Sequence, residues 1–194
     1  MCPEEYDEAG AVTALAYREF GPANSADPQL RHRDEEAWDE YYERLANVAE
    51  RAEIAEVFVA VDGARILGTV TLELYERIGN THGPLGAQQA HIRMLGVDPE
   101  LRRQGVARAL IERCIDRSRK AGKSRLTLNT TKMMEAARQM YESLGFERQP
   151  DEVHPDGFVL LSYSMELTGS TSPDASNTPS SHSAWIAPPR NCSS

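Results

Sequence analysis

The sequence predicts a mixed α/β fold, with helices packed on a sheet that holds both antiparallel and parallel neighbours. Three observations point there. Residues 56–61 are rich in β-branched side chains and end at Asp62-Gly63, a type I′ hairpin signal before a returning strand. From residue 90 onward the pattern runs strand, helix, strand, helix, strand, the signature of crossover connections. The helical segments carry apolar stripes on one side only, so each has one face to bury.

The elements follow in order. Val12, Leu15, Ala16 and Phe20 share a face, which predicts a first helix over residues 4–20. Asp34 is placed to cap a second helix, with Glu35 and Glu36 in its first turn and Trp38, Tyr41, Tyr42, Leu45 and Ala49 as its stripe. Residues 21–33, rich in Gly, Pro, Asn and Asp, read as the loop between them. After the hairpin, Val70, Leu72 and Leu74 alternate with Thr69, Thr71 and Glu73. Residues 79–89 form a Gly-containing loop. Residues 90–97 read as a strand with His91, Arg93, Leu95 and Val97 on one face and Ile92 and Met94 on the other. A helix over 104–121 carries Ala107, Leu110, Ile111, Cys114 and Ile115 inward and stops at Gly122. Residues 125–129 are a short strand. Met133, Ala137, Met140, Tyr141 and Leu144 stripe a further helix, stopped by Gly145. Leu161, Tyr163, Met165 and Leu167 alternate along a closing strand. Residues 168–194 are dominated by Ser, Thr, Pro and Asn with almost no charge. They predict a disordered tail behind a domain of residues 1–167.

At 194 residues, with 40% hydrophobic and 26% charged side chains, the chain fits one globular domain and excludes collagen-like, coiled-coil and wholly disordered classes. No apolar run approaches the roughly 20 residues of a membrane span. The acidic start (Glu4, Glu5, Asp7, Glu8) lacks a signal-peptide pattern, so a cytoplasmic address and no membrane partner are expected. A formal charge of −9 speaks against nucleic acid, whose phosphates need a cationic surface. Cys2, Cys114 and Cys192 form neither a disulfide framework nor a metal set, and the five histidines show no ligand spacing, so no metal is expected.

The segment that carries chemistry is MLGVDPELRRQGVARALIERC. A strand ends at Val97, Asp98-Pro99 turns, and Arg102 to Ala107 lead into the amphipathic helix. The first N–H groups of a helix have no intrahelical partner, and the macrodipole adds positive potential. Gly105 and Ala107 leave room for a ligand to approach those donors, and Arg102 and Arg103 add charge. The result is an anion site shaped for a pyrophosphate. It is neither a Walker A loop nor a dinucleotide fingerprint.

Val97-Asp98-Pro99-x-x-Arg102-x-x-Gly105-x-Ala107-x-x-Leu110 resembles the acetyl-CoA-binding signature of the GNAT N-acetyltransferases, Arg/Gln-x-x-Gly-x-Gly/Ala. Ala137-x-x-Met140-Tyr141-x-x-x-Gly145-Phe146 resembles the family's second signature, with a helix and a strand between the two as the family has them. The resemblance covers roughly residues 4–167. It implies a mainly antiparallel mixed sheet flanked by helices, here expected to lack the family's first strand, because the chain starts almost at a helix. It implies acetyl-CoA as co-substrate, with direct attack of an amine on the thioester.

Carried onto this sequence, the resemblance puts the pyrophosphate on the backbone of Arg102, Arg103, Gln104, Gly105, Val106 and Ala107. Pantetheine would pair with Leu95 and Val97, between strands 90–97 and 125–129, and the Leu95 N–H would hold the oxyanion. Tyr141 matches the position that protonates the leaving thiolate; a phenol near pKa 10 can return a proton to a thiolate near 8.5 at a cost of about 2 kcal/mol. An amine acceptor is almost wholly protonated at neutral pH, so a base is needed. The position where the family often has Glu is His91 here, a candidate base. Met134 replaces the family's usual Asn seven residues before the Tyr, and Asn129 is the candidate amide toward pantetheine. A small-molecule amine is the expected acceptor, ahead of a protein amine. The other readings are a non-catalytic acyl-CoA sensor and, last, an α/β domain with no ligand. The C-terminal strand pattern would allow pairing across a homodimer.

Overall fold

The computed structural model describes residues 3–21, 35–75, 85–155 and 157–167. A 3-10 turn leads into helix α1 (Tyr6–Tyr17), which ends in a second 3-10 turn, Arg18–Phe20. Then come α2 (Glu35–Ala46), α3 (Val48–Ile54), β1 (Glu56–Asp62), β2 (Arg65–Glu73) and β3 (Gln89–Val97). They are followed by α4 (Val106–Lys120), β4 (Arg125–Thr130), α5 (Glu135–Ser143), β5 (Glu147–Arg148), β6 (Glu152–Val153) and β7 (Val159–Glu166). Among the described residues these strands form one seven-stranded sheet in the order β1-β2-β3-β4-β7-β5, with β6 also on β7. Every pairing is antiparallel except β3 with β4. The sheet is therefore mixed and mainly antiparallel, as expected, and among the described residues α1 precedes every strand. The expected cap Asp34, most of the loops over 21–33 and 79–89, and the tail over 168–194 lie outside the described residues.

Three details depart from the local pattern. The second helix is two helices. Asn47 interrupts it and caps α3 by accepting from the Glu50 N–H at 3.1 Å, so Ala49 belongs to α3. The buried Arg51 guanidinium collects the loose carbonyl ends of α2, donating from Nη1 to Leu45 O at 2.9 Å and Asn47 O at 3.1 Å. The hairpin turn sits one residue later than expected. Asp62 pairs with Arg65, which leaves Gly63 and Ala64 as the central residues, and only Gly63 has positive φ, the type II′ pattern. The short strands β5 and β6 add an outer flap to β7 that the periodicity did not predict.

The largest buried cluster lies between the sheet and α4 with α5. It includes Val70, Leu72, Ile92, Leu110, Ile111, Cys114, Leu126, Leu128 and Tyr163. Each fully buried aliphatic side chain there contributes about 1.5–3 kcal/mol. On the other face α1 packs against β2 and β3 and α3 against β1, with α2 packed on α1. Close approach is built in: a Cβ on Gly10 would collide with the Ala46 carbonyl, so α1 can cross α2 only with glycine there. The seam between α1 and the sheet is polar. Thr13 donates to Ala9 O at 2.7 Å and shares a 2.6 Å hydrogen bond with Thr69, both fully buried. Polar burial of this kind is tolerated because both hydroxyls are satisfied.

Candidate active site

The parallel ladder between β3 and β4 runs from Gln89 opposite Arg125 to Ile92 opposite Leu128, and ends there. Two residues later Met94 takes φ 51, and the register of β3 against β2 slips between Thr69 and Thr71. That is a β-bulge: one extra residue on β3 bends the strand and interrupts its alternation. The consequence corrects the expected faces. His91 and Arg93 point toward α1, but Leu95 and Val97 pack with Ile92 on the α4 side. Gly96 faces α1, where an added Cβ would sit 3.2 Å from the Ala16 Cβ. Beyond the bulge, β3 and β4 share no ladder.

A cavity of about 690 Å³ occupies this opening. The end of α1 (Ala16, Tyr17, Glu19, Phe20) closes one side, and β3 from Ile92 through Leu95, with Val97, forms the floor. The turn and first residues of α4 (Arg102, Arg103, Gly105, Val106, Ala107, Arg108) form the far end. β4 contributes Leu128, Asn129 and Thr130, and α5 contributes Met140 and Tyr141. Of the sequence-predicted residues, Leu95, Val97, Arg102, Arg103, Gly105, Val106, Ala107, Asn129 and Tyr141 all line it. Gln104 is exposed and does not line it. Neither does His91, which is buried beside Thr127, its Nδ1 2.8 Å from Thr127 Oγ1.

The far end suits an anion. Arg103 takes φ 63 and Gly105 φ 85, so the chain coils tightly before α4 begins at Val106. The N–H groups of the first helical turn then face the cavity without intrahelical partners. Arg102, Arg103 and Arg108 stand around them. This donor set, with the long slot running from it along β3, fits a ligand with a pyrophosphate at one end and an extended arm at the other.

At the other end, α5 turns Tyr141 inward. Its ring packs edge-on to Phe146 at 5.9 Å and near Tyr163 at 6.3 Å, and 95% of the residue is buried. Among the described residues nothing accepts a hydrogen bond from its hydroxyl, and Tyr141 lines the cavity. Burial raises the phenol well above its ordinary value, and the neighbouring Cys114 thiol adds to the shift, so Tyr141 stays protonated across the physiological range. Tyr17, absent from the sequence candidates, stands close by. Its phenol is also raised, first by burial and then by Tyr41 and Tyr141, while the Arg51 and Arg93 cations pull it down. Its signal in the sequence is faint: a second aromatic beside Phe20 at the end of a helix, one position off the stripe. On the same side Arg93 is clamped by Glu73 at 2.8 Å, and Arg51 lies behind them. Burial, then the Arg93 cation, lowers the Arg51 guanidinium to about 10.

Comparison with known proteins agrees with this architecture. Residues 23–167 match the family described as acetyltransferase (GNAT) domain. A stretch of 52 residues is 46% identical to the [ribosomal protein bS18]-alanine N-acetyltransferase of Escherichia coli, covering 27% of this chain and 35% of that enzyme. A stretch of 91 residues is 32% identical to mouse probable N-acetyltransferase family 8 member 5, covering 47% of this chain and 38% of that protein. The chain thus spans well under half the length of these relatives. The structure of YncA from Salmonella typhimurium, described with its cofactor acetyl-CoA, superposes with a TM-score of 0.56 at 19% identity, covering 88% of this chain and 94% of that one. That likeness establishes a shared fold.

Proposed function

The chain belongs to the GNAT acetyltransferase domain family, and from that premise we propose that it moves an acetyl group from acetyl-CoA to a primary amine by direct attack. The observation that carries the reading is the Tyr141 hydroxyl. It is a buried, protonated phenol with no hydrogen-bond acceptor among the described residues, set at the wall of an opened sheet whose far end is a tight, arginine-flanked turn at a helix start.

The residues divide the work. The first N–H groups of α4, with Arg102 and Arg103, bind the pyrophosphate. The edge of β3 at Leu95 and Val97, released from β4, pairs with the pantetheine arm, and the Leu95 N–H receives the carbonyl oxygen as it gains charge. Acetyl-CoA supplies the activated acyl group. Tyr141 donates its proton to the departing sulfur and recovers one from solvent. Asn129 orients the arm from β4. His91, which the resemblance offered as base, is buried beside Thr127 and does not line the cavity, so it is not the group favoured to take the acceptor's proton. A small-molecule amine is the acceptor favoured here. The name of the Escherichia coli relative supports the runner-up, a protein α-amine.

Calorimetric titration with acetyl-CoA tests the cofactor half. Micromolar binding is expected, corresponding to about −8 kcal/mol, and its loss in Ala107→Glu through steric block and like charge. A folded wild-type chain that does not bind overturns both catalysis and the sensor reading. Binding without CoA release on any amine of a broad panel selects the sensor.

A further inference from the structure

The reaction needs a group to take the acceptor's proton, because an alkyl amine with a pKa of about 10.4 reaches a neutral site as ammonium. Among the described residues, two carboxylates at the cavity are paired with arginine. Glu19 pairs with Arg102 at 2.6 Å, and Glu73 with Arg93 at 2.8 Å. Glu135 also lines the cavity, but it stands at the start of α5, on the side toward which the thiolate leaves and away from Arg93.

One further carboxylate approaches from β6. Alternation along β7 sends Leu161, Tyr163 and Met165 into the core under α4 and α5, and Leu160, Ser162 and Ser164 to the opposite face. Glu152 pairs with Leu160 and Asn129 with Ser162, so both stand on that opposite face, the one Arg93 shares. Glu152 reaches across β7 there. Its Oε2 accepts from Asn129 Nδ2 at 2.7 Å, and Asn129 lines the cavity. The other oxygen, Oε1, lies 3.5 Å from His154 Nε2. The side chain is 37% exposed, open to water. Its neighbours from β4 and β7 are the uncharged Asn129, Ser162 and Leu160. The nearby cation Arg148 is paired with Asp151 and lies over the Tyr163 ring, on the other face.

Resting on the acetyltransferase reading, we propose that Glu152, held against the cavity wall by Asn129, is the carboxylate that takes the acceptor ammonium's proton. The proton passes through one water to Oε2 or Oε1. The freed nitrogen lone pair forms the C–N bond, the C–S bond breaks, and the thiolate takes a proton from Tyr141; the second proton, shed as the nitrogen becomes an amide, passes through solvent to the Tyr141 phenolate. Glu152 then releases its proton to solvent. The amine approaches from the Arg93–Asn129 face and the thiolate leaves toward α5, so base and acid stand on opposite faces of the sheet.

The test is kcat/KM from pH 6.5 to 10 on small primary amines and a short peptide with a free N-terminal alanine. Glu152→Gln keeps an oxygen for Asn129 to donate to, so the fold and acetyl-CoA affinity should hold. A positioned base contributes about 10²–10⁴-fold, so a loss of about 10²-fold or more is expected at pH 7. It should shrink steadily toward pH 10 as the free amine becomes abundant. Asn129→Asp added to Glu152→Gln returns a carboxylate to the same hydrogen-bonded pair, and should restore neutral activity at least about tenfold over the single variant. A wild-type-like Glu152→Gln at pH 7, or a deficit equal at every pH, overturns the proposal while leaving the acetyltransferase reading intact. A wild-type chain that neither binds acetyl-CoA nor releases CoA overturns both.

Discussion

Arg102 Nη1 lies 2.6 Å from Glu19 Oε1, and its Nη2 donates to the Ala16 carbonyl at 3.2 Å. The turn that leads into α4 is thereby tied to the end of α1, and all three residues line the cavity. A pyrophosphate bound at this turn competes with Glu19 for the guanidinium. The pair is partly exposed, at 34% and 46%, so its net worth is about 0.2–1 kcal/mol. Glu19→Gln is therefore expected to tighten acetyl-CoA binding by up to about fivefold. Calorimetry at low salt checks this, and unchanged or weaker affinity would show that the pair and the ligand do not compete.

Tyr141→Phe removes one oxygen from a pocket wall and leaves the ring contacts to Phe146 and Tyr163 in place. The expected result is a fall in kcat of about 10²–10⁴-fold with acetyl-CoA affinity unchanged. Because burial raises this phenol above its ordinary 10.0, wild-type kcat should show no alkaline limb from Tyr141 below pH 10. Stopped-assay rates across that range, beside the calorimetry, distinguish a proton donor from a packing residue. A purely structural tyrosine would lose binding and rate together.

Stability should decline in alkali for a reason visible in the core. Cys114 is fully buried, and desolvation raises its thiol from 9.0, with Glu56 contributing in the same direction. Tyr17 and Tyr141 are raised from 10.0. In each case the folded state holds its proton more tightly than the unfolded chain does. The stability this provides is complete below the unfolded pKa values and is lost as pH climbs from about 9 toward the raised folded values. Urea midpoints should fall steadily above pH 9. Cys114→Ala should start lower and fall less between pH 9 and 10, leaving the later tyrosine component. Parallel curves for the two proteins would assign the decline elsewhere.

Local chemistry carried much of the fold. The stripe of Leu110, Ile111, Cys114 and Ile115 buries where its 3.6-residue period says it must. The alternation of Leu161, Tyr163 and Met165 does the same at period two. The Arg102-x-x-Gly105-x-Ala107 turn was legible because positive φ at Gly105 and small side chains before a helix are requirements of the backbone itself.

What sequence could not carry is whatever depends on register across strands. The bulge at Met94 moves Leu95 and Val97 to the face of Ile92, and no local propensity marks a non-glycine residue for φ 51. His91 looks available on paper, yet pairing with β4 sets it beside Thr127 and away from the cavity. Glu152 looks like one surface acid among many until β6 folds onto β7 and carries it to Asn129, 23 residues earlier in the chain. The chain by itself determined its elements, its buried stripes and the tight turn before α4, because these follow from neighbours within a few residues. The tertiary structure alone decided which side chains meet in the cavity, because a one-residue slip between strands reverses the face of every residue after it.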